Sequence, residues 1–253
     1  MKWLLAFLIV SVQWTVSEAL TLSDLLTETR IFLRDSAADP TRQRFSDTQL
    51  TSFLNEAQRD FNFKTWAVIT SSAFSLTPGT TEYSLPPLTL TPLRVTVNFT
   101  AIPERTFSFL DDSQTDWVRS SGTPTAYYIR VDSSIVDGVS RLSIGFTPVS
   151  TFTALAIVQY LSRTTDLALS ADVPFGSDNL RFFEFHHALA YYAAWLGYMI
   201  LSMDNDSLFF RKYYDDTAAQ AEAVTKNRLS YNPNFRSGFP LMPAGGNIKG
   251  ATQ

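Results

Sequence analysis

The chain has no cysteine among its 253 residues. That absence excludes a thiolate nucleophile, a CxxC redox pair, a cysteine-ligated zinc site and any disulfide framework. Histidine is scarce: there are two, His186 and His187, side by side. Successive residues of a helix point about 100° apart, so the pair does not ligate one metal from one face. Both read as hydrogen-bonded residues of a helical bundle rather than as general bases. HExxH, GxSxG, GxxxxGK[ST] and GxGxxG are all missing. Charge is sparse, at 17% of residues, and the net charge of −4 makes a poor general DNA binder, since duplex affinity comes from Lys and Arg on phosphates. Long apolar runs are missing as well. The uncharged stretch Ala188 to Leu201 falls short of the ~20 residues that span a bilayer, and Arg181 and Glu184 crowd its start.

What is present is ordinary globular material, 45% hydrophobic, with 14% aromatics led by 20 phenylalanines. This is enough for a sizeable core, and aromatics also serve interfaces. The length allows one or two domains. The charge is unevenly spread. From Lys226 onward there are four basic residues (Lys226, Arg228, Arg236, Lys249) and no acidic ones, so a basic end follows an acidic body. At the other end, Met1-Lys2, the apolar run Trp3 to Val10 and Ser17-Glu18-Ala19 have the layout of a signal peptide. The alternative for residues 1–20 is an apolar segment packed on its own or a neighbouring subunit. Two Asn-x-Ser/Thr sequons, at Asn98 and Asn205, would suit a secreted protein.

Hydrophobic spacing divides the rest. Leu22, Leu25, Leu26, Phe32 and Leu33 predict an amphipathic helix over Thr21 to Arg34, ended by Asp39-Pro40. Ser46 with Gln49 forms a capping box for a second helix, whose stripe Leu50, Phe53, Leu54, Ala57 and Phe61 runs toward Trp66. From residue 67 to about 170, β-branched and aromatic residues alternate between Pro- and Gly-rich breaks. Ala73 to Leu76, Arg94 to Val97, Ala126 to Val131, Arg141 to Phe146 and Leu155 to Tyr160 read as strands of an antiparallel β-domain. Leu180 to Leu201 then reads as a helix apolar on nearly every face, which must be buried on every face. Its aromatics Phe183, Tyr191, Tyr192, Trp195 and Tyr198 are candidates for a subunit interface. A last helix runs from about Asp206 to Arg228, with Leu208, Phe209, Tyr213, Ala219 and Ala223 among its apolar positions.

Residues 229–253 hold three prolines and several glycines, which exclude regular helix, yet carry Tyr231, Phe235, Phe239, Leu241 and Met242. Such a segment gains most by lying extended in another protein's groove. These residues, with Arg236, are the candidate docking anchors. The predicted fold is α+β. A helical bundle (residues 21–66 and 171–228) carries an inserted antiparallel β-domain (67–170) and ends in an extended C-terminal arm. Asp111, Asp112 and Asp116 form an acidic loop cluster of a kind that binds calcium or hydrolyses glycosides. Asp-Asp-Ser is also ordinary turn chemistry, and no second cluster is set nearby. No catalytic residue, cofactor or metal site is predicted.

Taken in order, the segments resemble the adaptor proteins of tailed bacteriophages. Thr21 to Arg34 followed by Phe45-Ser46-Asp47, Leu50 and Phe53-Leu54-Asn55-Glu56-Ala57-Gln58-Arg59 is similar to their Leu-rich helix, polar loop and second helix. Gly122-x-Pro124-x-x-Tyr127-Tyr128 looks like the start of one of their strands. Tyr160-x-x-Arg163-x-x-Asp166-Leu167 with Ser170-Ala171-Asp172-x-Pro174 is similar to the junction before their long Ala/Tyr-rich helix. The likeness covers about residues 21 to 228. It implies a virion protein assembled in the host cytoplasm, without a membrane. It further implies a dodecameric ring under the portal, bound to tail hub or nozzle proteins, with genomic DNA passing through unbound. A C-terminal extension that docks on the portal is implied in kind. The rival reading is a secreted, β-rich glycan-binding module, resting on the signal-like segment, the sequons and the aromatics. A third, a glycoside hydrolase, rests on the carboxylates.

Overall fold

Thr21 and Asp24 start the first helix by exchanging bonds. The Asp24 N–H donates to the Thr21 hydroxyl, and the Thr21 N–H donates to the Asp24 carboxylate at 2.9 Å. In this computed structural model, which describes residues 19–35, 43–113, 116–136, 139–176 and 180–231, α1 spans Leu22–Phe32. It ends at Leu33 and turns at Arg34 (φ 52°), ahead of the expected stop at Asp39-Pro40. Buried Asp35 then closes the connection, accepting the backbone N–H groups of Arg44 and Phe45 and pairing with Arg30 at 3.1 Å. The predicted capping box is present: Ser46 and Gln49 exchange bonds at the start of α2 (Asp47–Thr65), which stops at Trp66 in a left-handed conformation.

The β-domain follows, with a small helix inside it. Its strands are β1 (Ile69–Leu76), β2 (Glu82–Ser84), β3 (Thr89–Val97), β4 (Thr100–Ile102), β5 (Ser121–Gly122), β6 (Ala126–Val136), β7 (Val139–Thr147), β8 (Val149–Ser150) and β9 (Ala154–Ser162), with α3 (Phe107–Ser113) between β4 and β5. One antiparallel sheet has the order β1-β9-β3-β4 and a second β2-β7-β6, while β5 and β8 form a short parallel pair. Alternate residues meet between the two main sheets: Val95, Val97, Ala156, Val158 and Tyr160 from one, Tyr127, Ile144 and Phe146 from the other. The Tyr127-Tyr128 pair shows the alternation at work. Tyr127 enters this core, and Tyr128 points away, onto Phe107 and Trp117. Its register partner is Gly145, where a Cβ would stand 2.0 Å from the Tyr128 ring, so that position excludes any side chain.

The chain returns to the bundle through a 3₁₀ helix (Leu180–Phe185), α4 (His187–Ile200) and α5 (Asp204–Tyr231). The single helix expected over Leu180 to Leu201 is thus broken near His186, and α5 continues past Arg228 to Tyr231, into the expected arm. Small residues of α4 (Ala188, Ala190, Ala193) pack in a core with Leu25, Leu54, Phe61, Leu189 and Tyr214. Each large aliphatic side chain buried there contributes roughly 1.5–3 kcal/mol. At the other end Leu33 lies against Gly197, its Cδ2 within 2.6 Å of where a Cβ would stand. No helix among the described residues is long and apolar enough to cross a membrane.

Candidate assembly interface

The sequence motifs prove to be a clamp. Asn55, Gln58 and Asn62 lie at i, i+3 and i+7 on one face of α2. Each carboxamide donates one bond and accepts one. Asn55 donates to the Leu167 carbonyl at 3.0 Å and accepts the Leu167 N–H at 2.7 Å. Gln58 donates to the Thr165 carbonyl and accepts the Phe175 N–H. Asn62 donates to the Ser162 carbonyl and accepts the Val68 N–H, gripping both ends of the β-domain where it joins the bundle. Arg59 pairs with Asp166 beside them. Asp172 accepts the N–H groups of Ala168 and Leu169, which hold its carboxyl below the usual range. Its carbonyl takes the Leu22 N–H of α1. The motifs therefore fix how the β-domain is mounted on the helices.

The mounted bundle leaves α4 enclosed on three sides, by α1, α2 and α5. Tyr192 and Tyr198 face inward: the Tyr192 hydroxyl donates to Glu56 at 3.1 Å and that of Tyr198 to the Phe32 carbonyl at 2.8 Å. Burial raises the pKa of both phenols, so they remain neutral donors. Trp195 is half-buried under the Arg211 guanidinium, and Phe183 is half-buried against His186. Tyr191 stacks on Phe32 and touches Phe210 and Tyr213, bridging α1 and α5. Of the five aromatics expected at an interface, two are consumed by the subunit's own core and three reach its surface in part.

The apolar surface that sequence reasoning missed is the α4–α5 corner. Met199, Ile200, Met203, Leu208, Phe209 and Tyr213 are all exposed there, Ile200 by 62% and Leu208 by 68%. The signal lay in α5. Its buried stripe is Ser207, Tyr214, Ala218, Ala221 and Thr225, whereas all five of its expected apolar positions, Leu208, Phe209, Tyr213, Ala219 and Ala223, are exposed. Large apolar residues off the buried stripe mark a second contact face.

The polar candidates are committed elsewhere. His187 meets Glu28 of α1 at 2.6 Å. His186 is fully buried, and among the described residues neither ring nitrogen makes a hydrogen bond of ordinary geometry, the Leu20 backbone interacting with it only weakly. Burial pushes its pKa down to about 4, against a smaller opposing effect of the Leu20 backbone. Asp111 and Asp112 lie in α3 rather than in a loop, and Asp111 accepts the Trp117 indole N–H at 2.7 Å. Among the described residues no group of three or more His, Asp or Glu is placed to hold a metal. Tyr231 is the last residue of α5, while Phe235, Arg236, Phe239, Leu241 and Met242, like the signal-like residues 1–18, lie outside the described residues.

No curated protein matches the chain. Among protein families, residues 20–237 match the SU10 adaptor protein, a span that holds the clamp, the β-domain and the whole bundle. The chain belongs to this family of bacteriophage head-to-tail adaptors, whose role is structural.

Proposed function

We propose that copies of this chain close into a dodecameric ring between portal and tail, extending the DNA exit channel and offering the surface on which the tail assembles. The observation that carries the reading is the α4–α5 corner, on a chain whose family is an adaptor family. Six large apolar side chains at one corner of a bundle gain most by burial against another copy, and head-to-tail contacts that close by rotation make rings. Tyr191 and Trp195 extend that surface along α4, and Phe183 lies in the 3₁₀ helix before it. The net charge of −4 suits a conduit that does not grip DNA. The ring binds no cofactor and performs no catalysis.

The C-terminal segment is the portal anchor in this reading, with Tyr231, Phe235, Phe239, Leu241 and Met242 seated in apolar grooves and Arg236 meeting an acidic group. Tail hub or nozzle proteins join the opposite side. The site is the head–tail junction of a virion assembled in the host cytoplasm. The sequon at Asn205, which supported the secreted alternative, sits in the first turn of α5 with its Ser207 buried. Mass photometry of the purified protein, alone and with portal rings, tests the proposal. A ring-sized addition to the portal is expected. A chain that stays monomeric and never adds to the portal would overturn it.

A further inference from the structure

The two main sheets end in four outer strands, and three of these are guarded. β4 has three residues and runs into Pro103, and β2 has three with Pro86-Pro87 soon after. β6 carries Arg130 and Asp132, and its start is bridged by Glu104 at Tyr127. Short length, proline, charge and cover all discourage stray pairing. β1 has none of them. Its eight residues, Ile69–Leu76, hold no charge and no proline, and they pair with β9 in unbroken register. Among the described residues β1 pairs with no other strand, so every second residue turns its N–H and C=O to the open side. At that flank Phe74 and Tyr83, with rings 5.2 Å apart, leave the sandwich core half-covered.

The foot of β1 shares a recess with the start of α1. Leu22, the first residue of α1, donates its N–H to the Asp172 carbonyl at 2.8 Å. Asp172 and Val68, the residue just ahead of β1, line one recess of about 500 Å³ with Leu88, Thr164 and Phe175. Thr164 is buried, and among the described residues its hydroxyl has no hydrogen-bond partner. A buried hydroxyl left unpaired is costly, so a further polar group there recovers free energy. Residues 1–18 lead to this point. Within them, Trp3 to Val10 is an apolar run of eight with no charge, proline or glycine. Eight residues suit a strand and are short for a helix, and Trp3, Phe7, Ile9 and Val10 favour a pleated surface. The link Ser11 to Glu18 reaches at most ~29 Å, about the length of β1 itself. Residues 232–253 offer no such strand, because proline and glycine leave no run there longer than Asn234 to Ser237.

We propose that residues 3–10 add to β1 of the same subunit as a fifth strand of its sheet, while residues 11–18 cross the recess. The direction follows from the short link. β1 runs away from the bundle, where Asn62 holds Val68. A segment that returns to Leu20 therefore places Val10 near Ile69 and Trp3 near Leu76, antiparallel to β1. Main-chain bonds fill the open edge, and one set of alternate side chains covers Phe74 and Tyr83. Backbone groups of the link supply the partner that the Thr164 hydroxyl lacks. The same subunit is chosen over a neighbour because the start of α1 and the foot of β1 border one recess. The added strand requires neither the ring nor the portal assignment, only that residues 1–18 stay on the chain.

The absence of cysteine makes a direct test possible. In the full-length chain Ala73→Cys, at an exposed position of β1, is combined in turn with a cysteine substitution at each of residues 4 to 8. Oxidation should close a disulfide within one chain at Ala6→Cys, with at least roughly tenfold less at Leu5→Cys and Phe7→Cys, whose side chains face the other way. Equal reaction at all positions, or none, overturns the strand. Disulfides that join two chains, between β1 and the segment or between two copies of Ala73→Cys, overturn the choice of the same subunit. Hydrogen exchange gives a second reading without cysteines. The amides of β1 should exchange at least roughly tenfold faster after removal of residues 1–18, and in Leu5→Pro with Ala6→Pro, one of which must fall on a ladder N–H, while β6 is unchanged. Equal exchange in all three proteins overturns the proposal. Protection of β1 that appears only in assembled phage would give the edge to a separate protein. An intact mass lacking residues 1–19 overturns it outright and returns the segment to the signal-peptide reading.

Discussion

His186 is the residue whose environment departs furthest from its chemistry. It is a titratable ring in a fully buried site, with Phe175 and Phe183 against it and, among the described residues, no hydrogen bond of ordinary geometry to either nitrogen. The folded protein holds it neutral down to about pH 4, while the unfolded chain protonates it near 6.5. Between those values the unfolded state binds more protons, so stability falls as pH is lowered through that window. The loss reaches at most about 3 kcal/mol by pH 4. His186→Leu should flatten the dependence of the unfolding midpoint between pH 6.5 and 4 while keeping the fold. Asp24 and Asp172 act in a separate window. Hydrogen bonds hold their carboxyls below 3.8, so their contribution is present above that value and is lost only as pH falls below it, in wild type and variant alike. Acid profiles that coincide down to pH 4 would show that His186 finds a partner after all.

At the level of elements, α2 is the part on which the others depend. Its apolar stripe was legible from spacing, and its capping box from Ser46 and Gln49, because both signals are local. Asn55 and Gln58 could be recognised as part of a family motif, and Asn62 not at all; none could be interpreted, since all their partners but Val68 lie 100 to 117 residues away. Asn55→Ala should destabilise the protein by roughly 2–4 kcal/mol, because it leaves both the N–H and the carbonyl of Leu167 unpaired in a buried site. Chemical unfolding measures this against Ser52→Ala on the exposed face, where little change is expected. A loss below 1 kcal/mol for Asn55→Ala, at roughly the median effect of any substitution, would mean the clamp is dispensable. Elsewhere the same division holds. All five strands with clear alternation lie within observed strands, but β2, β4, β5 and β8 have only two or three residues and leave no period to read. The apolar Leu180 to Leu201 segment announced its burial without a direction, so nothing in its sequence separated inward Tyr192 and Tyr198 from partly exposed Tyr191.

For the whole molecule, two surfaces are assigned to different partners, and each has its own test. Leu208→Glu with Phe209→Lys places charges on exposed positions of α5, off the stripe that packs on α4. The variant should fold with a midpoint near wild type and fail to form rings in mass photometry. A variant that unfolds outright would place those residues in the core, and one that still forms rings would place the seam elsewhere. The C-terminal segment calls for a different argument. The helix α5 is 28 residues and so about 42 Å long. Residues 232–253, if extended, span up to ~70 Å. That reach allows contact well outside the bundle. Fixing such a segment costs roughly 1–2 kcal/mol per residue in backbone entropy, so its few aromatics must be deeply seated to offset it. Truncation after Tyr231 should therefore leave a folded body that still closes into rings but no longer co-sediments with portal. Phe235→Ala with Phe239→Ala should weaken docking by a few kcal/mol, in the manner of interface hot spots. Moderate salt should weaken it less, because Arg236 and Lys249 are the only charges in the segment. Full portal binding by the truncated protein would move the role of the segment to the tail side of the ring.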